Sequence, residues 1–523
     1  MTEEKLVNPW LVTIVISLAT FMEVLDTSIA NVSLSHIAGG LAAGLDESTW
    51  VLTTYLVANA IMMPISGWLA TVIGTKRFYM ICVAIFTASS LLCGLAPSLG
   101  WLIFFRVLQG LGGAGMAPVV QSMLADLFPP EKRGMAFSVY GLSVVFAPAI
   151  GPTLGGWITD NYSWHWIFLI NVPVGIISLL LTAALVREPK AAIIAREKFF
   201  KEGFRVDYIG FVLCVMGIGC LEYFVDRGER EDWFSSPVIV ITAIVAVISL
   251  VSLVLWEVRQ KNPMVDIPLL KIPNFFGSFV TMFAMGFILF GTTALLPQFL
   301  EQLLGYTAQQ AGLALTAGGV FLMFMMPIVG GVLIPRFQSR TLVIVGLLIL
   351  AASLYHMSGF NLGISFDQAV TARVFQVAGI ALIFAPITQA AYNGLPFGKN
   401  NNASALINLA RNLGGSIGIA VSNTILAQRS QLHQTRLVEN ISVYDTETTQ
   451  RLSQLEAFFT SHGGTAQQAL GQIYGEVQRQ AAMLSYIDVF IVMTGLTLLV
   501  IPLAFLLRPK PPTAAPAGEV AMH

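Results

Sequence analysis

Long apolar runs separated by short polar stretches fill most of the chain. Fourteen are long enough for a membrane-crossing helix, which needs about 20 mostly apolar residues. They span residues 10–34, 49–70, 78–97, 100–125, 134–158, 165–186, 207–225, 237–256, 274–300, 307–333, 340–358, 367–392, 402–427 and 484–506. None alternates in polarity over about ten residues, as a membrane β-barrel strand does. The pattern predicts an all-α polytopic membrane protein. It also leaves two long polar stretches, a basic segment at 187–206 and a Gln-rich one at 428–483.

Composition agrees. Hydrophobic residues make up 55% of the 523 positions and charged residues 11%, where soluble proteins carry about 25% charged residues; mean hydropathy is +0.75. A net charge of -1 gives no reason to expect nucleic acid as a partner. Cys82, Cys93, Cys214 and Cys220 lie in apolar runs without metal-ligand company and read as small core residues. The first run is too long for a signal-peptide core and is expected to remain as the first span. With the N-terminus placed in the cytoplasm, 19 of the 28 Lys and Arg residues fall on the cytoplasmic side, so the positive-inside bias predicts both termini there. The 428–483 segment is then external, either a spacer or a docking surface.

Two runs repeat each other. Span four reads Arg106-Val-x-Gln109 followed by Ala-Pro-x-x-Gln121, and span twelve reads Arg373-Val-x-Gln376 followed by Ala-Pro-x-x-Gln389. The loops after spans two and ten also match, Gly67-Trp-Leu with Lys76-Arg77 against Gly331-Val-Leu with Arg336 and Arg340. A shift of eight spans in fourteen implies two six-helix halves with two extra helices between them. The expected division is 1–186 for the first half, 187–273 for the linker with the two inserted helices and a loop, 274–427 for five helices of the second half, 428–483 for the external loop, and 484–523 for the last helix and tail. Parallel six-helix halves, with substrate bound at their interface near the midplane, resemble the major facilitator plan.

Charged groups inside a span are costly and mark pairing or function. Glu23 and Asp26 share a face of span one. Two close carboxyls in low dielectric resist joint ionisation, so one is expected to take up and release a proton near neutrality. Asp26 is expected to lead, with Glu23 and Glu222 beside it; contact with water at the outer mouth is the plainer reading for each. Arg106 and Arg411 are candidate charge partners or helix ties, whereas Arg373, near the start of its span, is expected to snorkel to the surface. Asn31, Asn59, Gln109, Gln121, Gln376, Gln389, Asn408 and Asn412 suit a polar-lined cavity or interhelical hydrogen bonds. The sequence Gly-x-x-x-x-Gly-Lys-Ser/Thr is absent, so nothing here cradles ATP phosphates and an ion gradient is left as the energy source.

Span five carries Pro148, Gly151, Pro152, Gly155 and Gly156, a kinked seam that admits close helix approach. Gly151-Pro152-x-x-Gly155-Gly156 resembles the antiporter motif of major facilitator drug exporters, and Arg106-x-x-Gln109-Gly110 their fourth-span motif. "LDTSIANVSL" (25–34) and "WHWIFLINVPVG" (164–175) resemble signatures of the fourteen-span branch. Over nearly its whole length the chain is similar to the EmrB/QacA-type drug:proton antiporters, EmrB-like members above all. The resemblance implies proton-coupled efflux of hydrophobic toxic compounds from the bacterial inner membrane and drug resistance, with no cofactor beyond the proton gradient. It also implies a periplasmic adaptor and an outer-membrane channel as partners. One departure stands out: in the loop "GWLATVIGTKR" the position often taken by an acid is Thr71, so a charge relay is not expected, and Lys76-Arg77 are left to touch lipid headgroups. A proton-coupled nutrient symporter is the alternative on the same fold. A membrane enzyme fits poorly, since His36, His165 and His356 are scattered.

Overall fold

The computed structural model describes residues 8–188, 190–201, 206–260, 262–439, 441–442 and 444–507. In chain order the long helices are α1 (Pro9–Val32), α2 (Trp50–Ile73), α3 (Thr75–Gly94), α4 (Leu99–Leu127), α5 (Pro130–Asn161), α6 (Trp166–Leu185) and α7 (Tyr208–Arg227). Then come α8 (Pro237–Glu257), α9 (Pro273–Gln302), α10 (Gln309–Arg336), α11 (Ser339–Met357), α12 (Phe366–Ala391), α13 (Asn400–Glu439) and α14 (Ala466–Val500). No strand occurs among the described residues.

Local chemistry sets the helix ends. Asn8 accepts the Trp10 amide at 3.0 Å just before Pro9 opens α1, the side-chain cap and N1 proline favoured at a helix start. Ser365 exchanges hydrogen bonds with Gln368 at the start of α12, at 3.3 and 3.0 Å, a reciprocal capping box. Between α2 and α3 the chain turns on Gly74 at φ 105°, where a side chain would be strained. The α3 amides there find an acid from far along the chain: Thr75 and Lys76 N–H donate to Glu188 at 2.5 and 3.0 Å. The Lys76 ammonium donates to the Ala183 carbonyl at 3.0 Å. Lys76 is therefore tied to protein, not left to lipid headgroups as the sequence suggested.

Thirteen helices among the described residues are long and apolar enough to cross a membrane. The fourteenth expected span lies in α13, which is buried along its first half yet too polar on average to meet the same standard. Its polarity comes from a stripe of Asn and Ser with Arg411, described below.

Helices α1–α6 and α9–α14 make matching sets of neighbours. α1 packs on α5 and α6, as α9 packs on α13 and α14; α3 packs on α4 and α6, as α11 packs on α12 and α14. Two long seams join the halves, α2 against α13 and α5 against α10, which exchange under the eight-helix shift. The extra pair α7–α8 leans on α2 and α13 through α7. α8 sits at the rim: 22% of its central stretch is buried, against 72% in α12.

The polar segment before the last span is helical over much of its length. α13 has 40 residues, about 60 Å at 1.5 Å per residue, twice the hydrocarbon thickness. A helix over Thr446–Ser461 follows, and α14 begins at Ala466, not near 484. Asp488 on α14 ties these elements, pairing with Arg429 and His433 at 2.8 Å each, and Arg451 pairs with Glu476 at 2.8 Å.

Candidate functional site

Asp26, four turns along α1, is 1% exposed. Arg106 of α4 donates to its Oδ2 at 2.6 Å, while Gln109 and Asn171 donate to Oδ1 at 3.0 and 2.6 Å. Arg106 also donates to Gln109 Oε1 at 2.9 Å and to the Val51 carbonyl at 3.0 Å, and it lies 4.1 Å over the Tyr55 ring. Asn171 is itself fixed by donating to Ser90 at 3.0 Å. The cluster joins α1, α2, α3, α4 and α6. The pair is held by further hydrogen bonds on both sides, with Arg106 Nη2 alone of its nitrogens unpartnered, and losing one partner of a buried pair is expensive. The sequence reading had not singled out Asn171; its signal was a lone amide inside the signature 164–175.

Glu23 lies one turn earlier, 7% exposed. Its Oε1 accepts from the Tyr55 hydroxyl and the Asn59 amide, both at 3.3 Å, and among the described residues it forms no ion pair. Asp26, expected to lead, is neutralised by Arg106, whereas Glu23 takes its hydrogen bonds from neutral donors and feels the charge of Arg411. From Asn59 the network crosses to the second half, since Asn412 of α13 donates to Asn59 Oδ1 at 3.5 Å.

Residue 412 belongs to a run of polar contacts along one face of α13. Asn401 donates to Thr71 and Thr75 at 3.3 and 3.4 Å, Asn408 to Gln121 of α4 at 2.8 Å, and Ser416 to Glu222 of α7. Asn400 donates to Asp126 at 2.7 Å. Thr71, where the sequence lacks an acid, therefore serves as a neutral acceptor for α13. Spacing of three to four residues keeps the stripe on one side, and each amide meets a partner on α2, α3, α4 or α7. Gly286, Gly414 and Gly418 form the opposite seam with α9: a Cβ at each would collide with the carbonyl oxygen of Arg411, Phe283 or Phe287 respectively.

The remaining candidates divide. Glu222 is 3% exposed and held by Ser416, with Oε2 unpartnered. Arg411 is buried, bonded only weakly to its neighbour Asn412 at 3.4 Å, with Nη1 unpartnered. Arg373 does not snorkel: it is 2% exposed and donates to Gln376, Thr292 and Thr293 at 2.7, 3.3 and 2.8 Å, because Gly318 of α10 leaves room beside it. Gln389 donates to the Pro130 carbonyl at 3.0 Å and ties α12 to α5. Asn31 is exposed near the end of α1 and joins none of these groups.

In α5, Pro152 has no N–H for the Pro148 carbonyl, and Ser28 of α1 supplies the missing donor at 3.3 Å. A Cβ on Gly151 would strike Ser28, and one on Gly155 would lie 3.0 Å from Ile29 Cγ2. Gly156 faces open space and takes no part in the seam. On its other side α5 meets α10, with Thr316 donating to the Ala149 carbonyl at 3.0 Å and its hydroxyl 3.0 Å from that of Thr153.

Known proteins match this arrangement. The Major Facilitator Superfamily profile matches residues 16–419. The chain is 37% identical over 514 residues to "Multidrug export protein EmrB" of Escherichia coli strain K12, covering 98% of each. It is 39% identical over 469 residues to the protein of the same name in Haemophilus influenzae, covering 88% of this chain and 89% of that one. Among solved structures, the proton:xylose symporter XylE superposes with a TM-score of 0.58 at 14% identity, covering 93% of this chain and 94% of that one. That likeness concerns the fold.

Proposed function

The chain belongs to the major facilitator superfamily, and on that premise we propose that it exports hydrophobic drugs and toxic compounds by alternating access in exchange for protons. Its EmrB relatives are named for multidrug export. The reading of the coupling step rests on Glu23: a buried carboxyl hydrogen-bonded by Tyr55 and Asn59, with the Arg411 guanidinium of the second half acting on it through its charge, while Asp26 is locked to Arg106.

Glu23 carries the proton. When protonated it is neutral and keeps its place between Tyr55 and Asn59. When it loses the proton, a negative charge stands in low dielectric without a salt bridge, and the polar chain Glu23–Asn59–Asn412 passes that change to α13 in the other half. Substrate and proton therefore favour different arrangements of the two halves, and only such differential binding shifts an equilibrium between them. An inward-moving proton supplies about 2.3 kcal/mol per 100 mV. Glu222, one turn along α13 from Asn412 through Ser416, is the second carboxyl that reads this helix. Asp26 and Arg106 are structural, holding α1 against α4 and α6.

The protein works in the bacterial cytoplasmic membrane with both termini inside. On this reading the N-terminal half takes 1–186, the inserted section 187–273 and the first five helices of the second half 274–427, followed by the external section 428–483 and, over 484–523, the membrane part of the last helix with the tail. The projecting ends of α13 and α14, with the Thr446–Ser461 helix, form the platform for a periplasmic adaptor, which in turn meets an outer-membrane channel. Exposed Tyr444, Phe458, Leu470 and Tyr474 on this platform suit such docking.

Proteoliposomes with an inward proton gradient and a pH dye inside test the reading. Adding fluorescent hydrophobic compounds to wild type should trigger proton movement coupled to their export. Glu23→Gln should abolish the exchange while keeping the fold. Exchange that survives in Glu23→Gln removes Glu23 from the role. Proton entry accompanied by substrate accumulation in the symport direction overturns export.

A further inference from the structure

The inserted pair α7–α8 has no counterpart in the repeat, yet its cytoplasmic end is closely bonded. Asp207, just before α7, accepts from the Gly210 amide at 2.8 Å and from the Trp256 indole of α8 at 3.0 Å on each oxygen. Glu257 closes α8 beside it and is 0% exposed; a Cβ on Gly210 would stand 2.8 Å from its Oε1. These contacts make the two helices one piece. Nearer the outer end Thr53 of α2 donates to Asp226 of α7 at 2.5 Å, and Ser416 of α13 donates to Glu222. The piece therefore stands on α2, with α13 alongside.

Three consecutive residues carry that piece across to α13 on the cytoplasmic side. The Met264 and Val265 amides donate to Glu257 at 3.1 and 3.2 Å. The next side chain, Asp266, is 5% exposed; it pairs with Lys399 at 2.5 Å and accepts from Asn402 at 3.4 Å. Lys399 and Asn402 flank the first residues of α13, where the halves meet backbone to backbone. A Cβ on Gly67 of α2 would stand 2.7 Å from the Asn401 carbonyl oxygen and 2.9 Å from Asn402 Cα. A substrate entering from the cytoplasm needs α2 and α13 to part there, and they are fastened while both ends of 264–266 hold. The two ends differ in what release costs. Letting go of Glu257 strands a buried carboxylate and two amides. Letting go of Lys399 places its ammonium in water, since that side chain is 37% exposed, and Asp266 keeps Asn402. The pair still favours the closed face, because a buried acid loses its counter-charge when it opens.

We propose that residues 264–266 form a splint that ties the inserted helices to α13 and holds the cytoplasmic face closed, with Asp266–Lys399 as the bond that opens it. Asp266 and Lys399 are then positioning residues of the transport cycle: they set how often the inner face opens. The inserted pair serves as the post to which α13 is fastened. The inference rests on the alternating access and orientation of the reading above, and on neither the direction of transport nor the proton at Glu23. Its test uses no gradient and no substrate, so the splint and the coupling step fail separately.

The full chain, its four cysteines replaced by alanine, is placed in lipid nanodiscs with spin labels at Arg77→Cys and Gln338→Cys. Both positions are exposed, one on the loop after α2 and one on the loop after α10. Pulsed double electron–electron resonance reads the distance between them. Lys399→Met and Asp266→Asn should each raise the share of long distances several-fold. The shift stays incomplete, because Asn400–Asp126 and Asn401–Thr71 still hold. Glu257→Ala should open the face likewise. The two links act in series, so Glu257→Ala with Lys399→Met should open it no further than either change alone. Exchanging the charges, Asp266→Lys with Lys399→Asp, should return the wild-type distribution, which a general loss of packing would not do. Unchanged distances in Lys399→Met, additive opening in the double variant, or opening that the charge exchange leaves in place overturns the proposal. If the variants at buried positions fail to fold, Lys399→Met decides alone.

Discussion

At the scale of single residues, two acids one turn apart meet different fates because of what neighbouring helices bring. Asp26 faces a guanidinium and two amides, Glu23 a phenol and one amide. Removing only Arg106, as in Arg106→Gln, should destabilise the protein by about 3–5 kcal/mol, since it strands a buried carboxylate. Adding Asp26→Asn should recover part of that loss, a coupling that a double-mutant thermal-unfolding cycle reads directly. Glu23→Gln, by contrast, should leave the melting temperature close to wild type and remove the pH dependence of substrate binding, measured by equilibrium fluorescence across pH 5 to 9. Binding that keeps its pH profile in Glu23→Gln would return the proton to Asp26 or Glu222. The presence of buried charges was legible in the sequence, because Glu23, Asp26, Arg106 and Arg411 interrupt apolar runs. Which of them are paired was not. Pairing depends on helix rotation and on residues 80 to 145 positions away, such as Arg106 and Asn171 for Asp26. Arg373 was misread for the same reason: distance from the helix end suggested a surface role, and the space left by Gly318 made an interior one.

Among the elements, glycines gain meaning from what lies opposite. Gly414 and Gly418 bring α13 against the α9 backbone, and Gly151 brings α5 against Ser28 of α1. Gly414→Ala should therefore force α9 and α13 apart and lower both melting temperature and transport. Gly156→Ala should leave transport intact and stabilise the helix by about 0.5–1 kcal/mol, because nothing lies near that position. Equal damage from both would mean that the seam is not what matters. Span positions followed from hydropathy, since burial in lipid leaves few alternatives to a helix. The ends of α13 and α14 did not, because their projecting parts are polar and are ordered by contacts such as Arg429–Asp488 and Gln434–Tyr474, at 2.8 and 3.2 Å. The small Thr446–Ser461 helix begins at Asp445, whose carboxyl the Thr448 hydroxyl and amide hold below its usual range. That cap strengthens the helix above the ordinary aspartate range and fades as pH falls through the lowered value.

For the whole molecule, the two halves are alike in plan and unlike in charge. The repeat at Arg106 and Arg373 announced the plan, and the same offset of 267 residues sets Thr293 against Asp26; that Arg373 turns inward to donate to Thr293 needed the packing. A chain with residues 443–464 replaced by a short Gly-Ser linker should keep proton-coupled transport in proteoliposomes and lose resistance in cells, if the outer platform serves an adaptor. Loss of transport in both settings would make the platform part of the carrier. The polar face of α13 also bears on how the protein is made. Asn401, Asn408, Arg411 and Asn412 are satisfied or sheltered by helices synthesised earlier, and a segment of that polarity partitions poorly into lipid by itself. During biogenesis α13 should therefore leave the translocon only against a waiting N-terminal half. Glycosylation mapping should find the isolated α13 segment uninserted and the same segment inserted when residues 1–399 precede it.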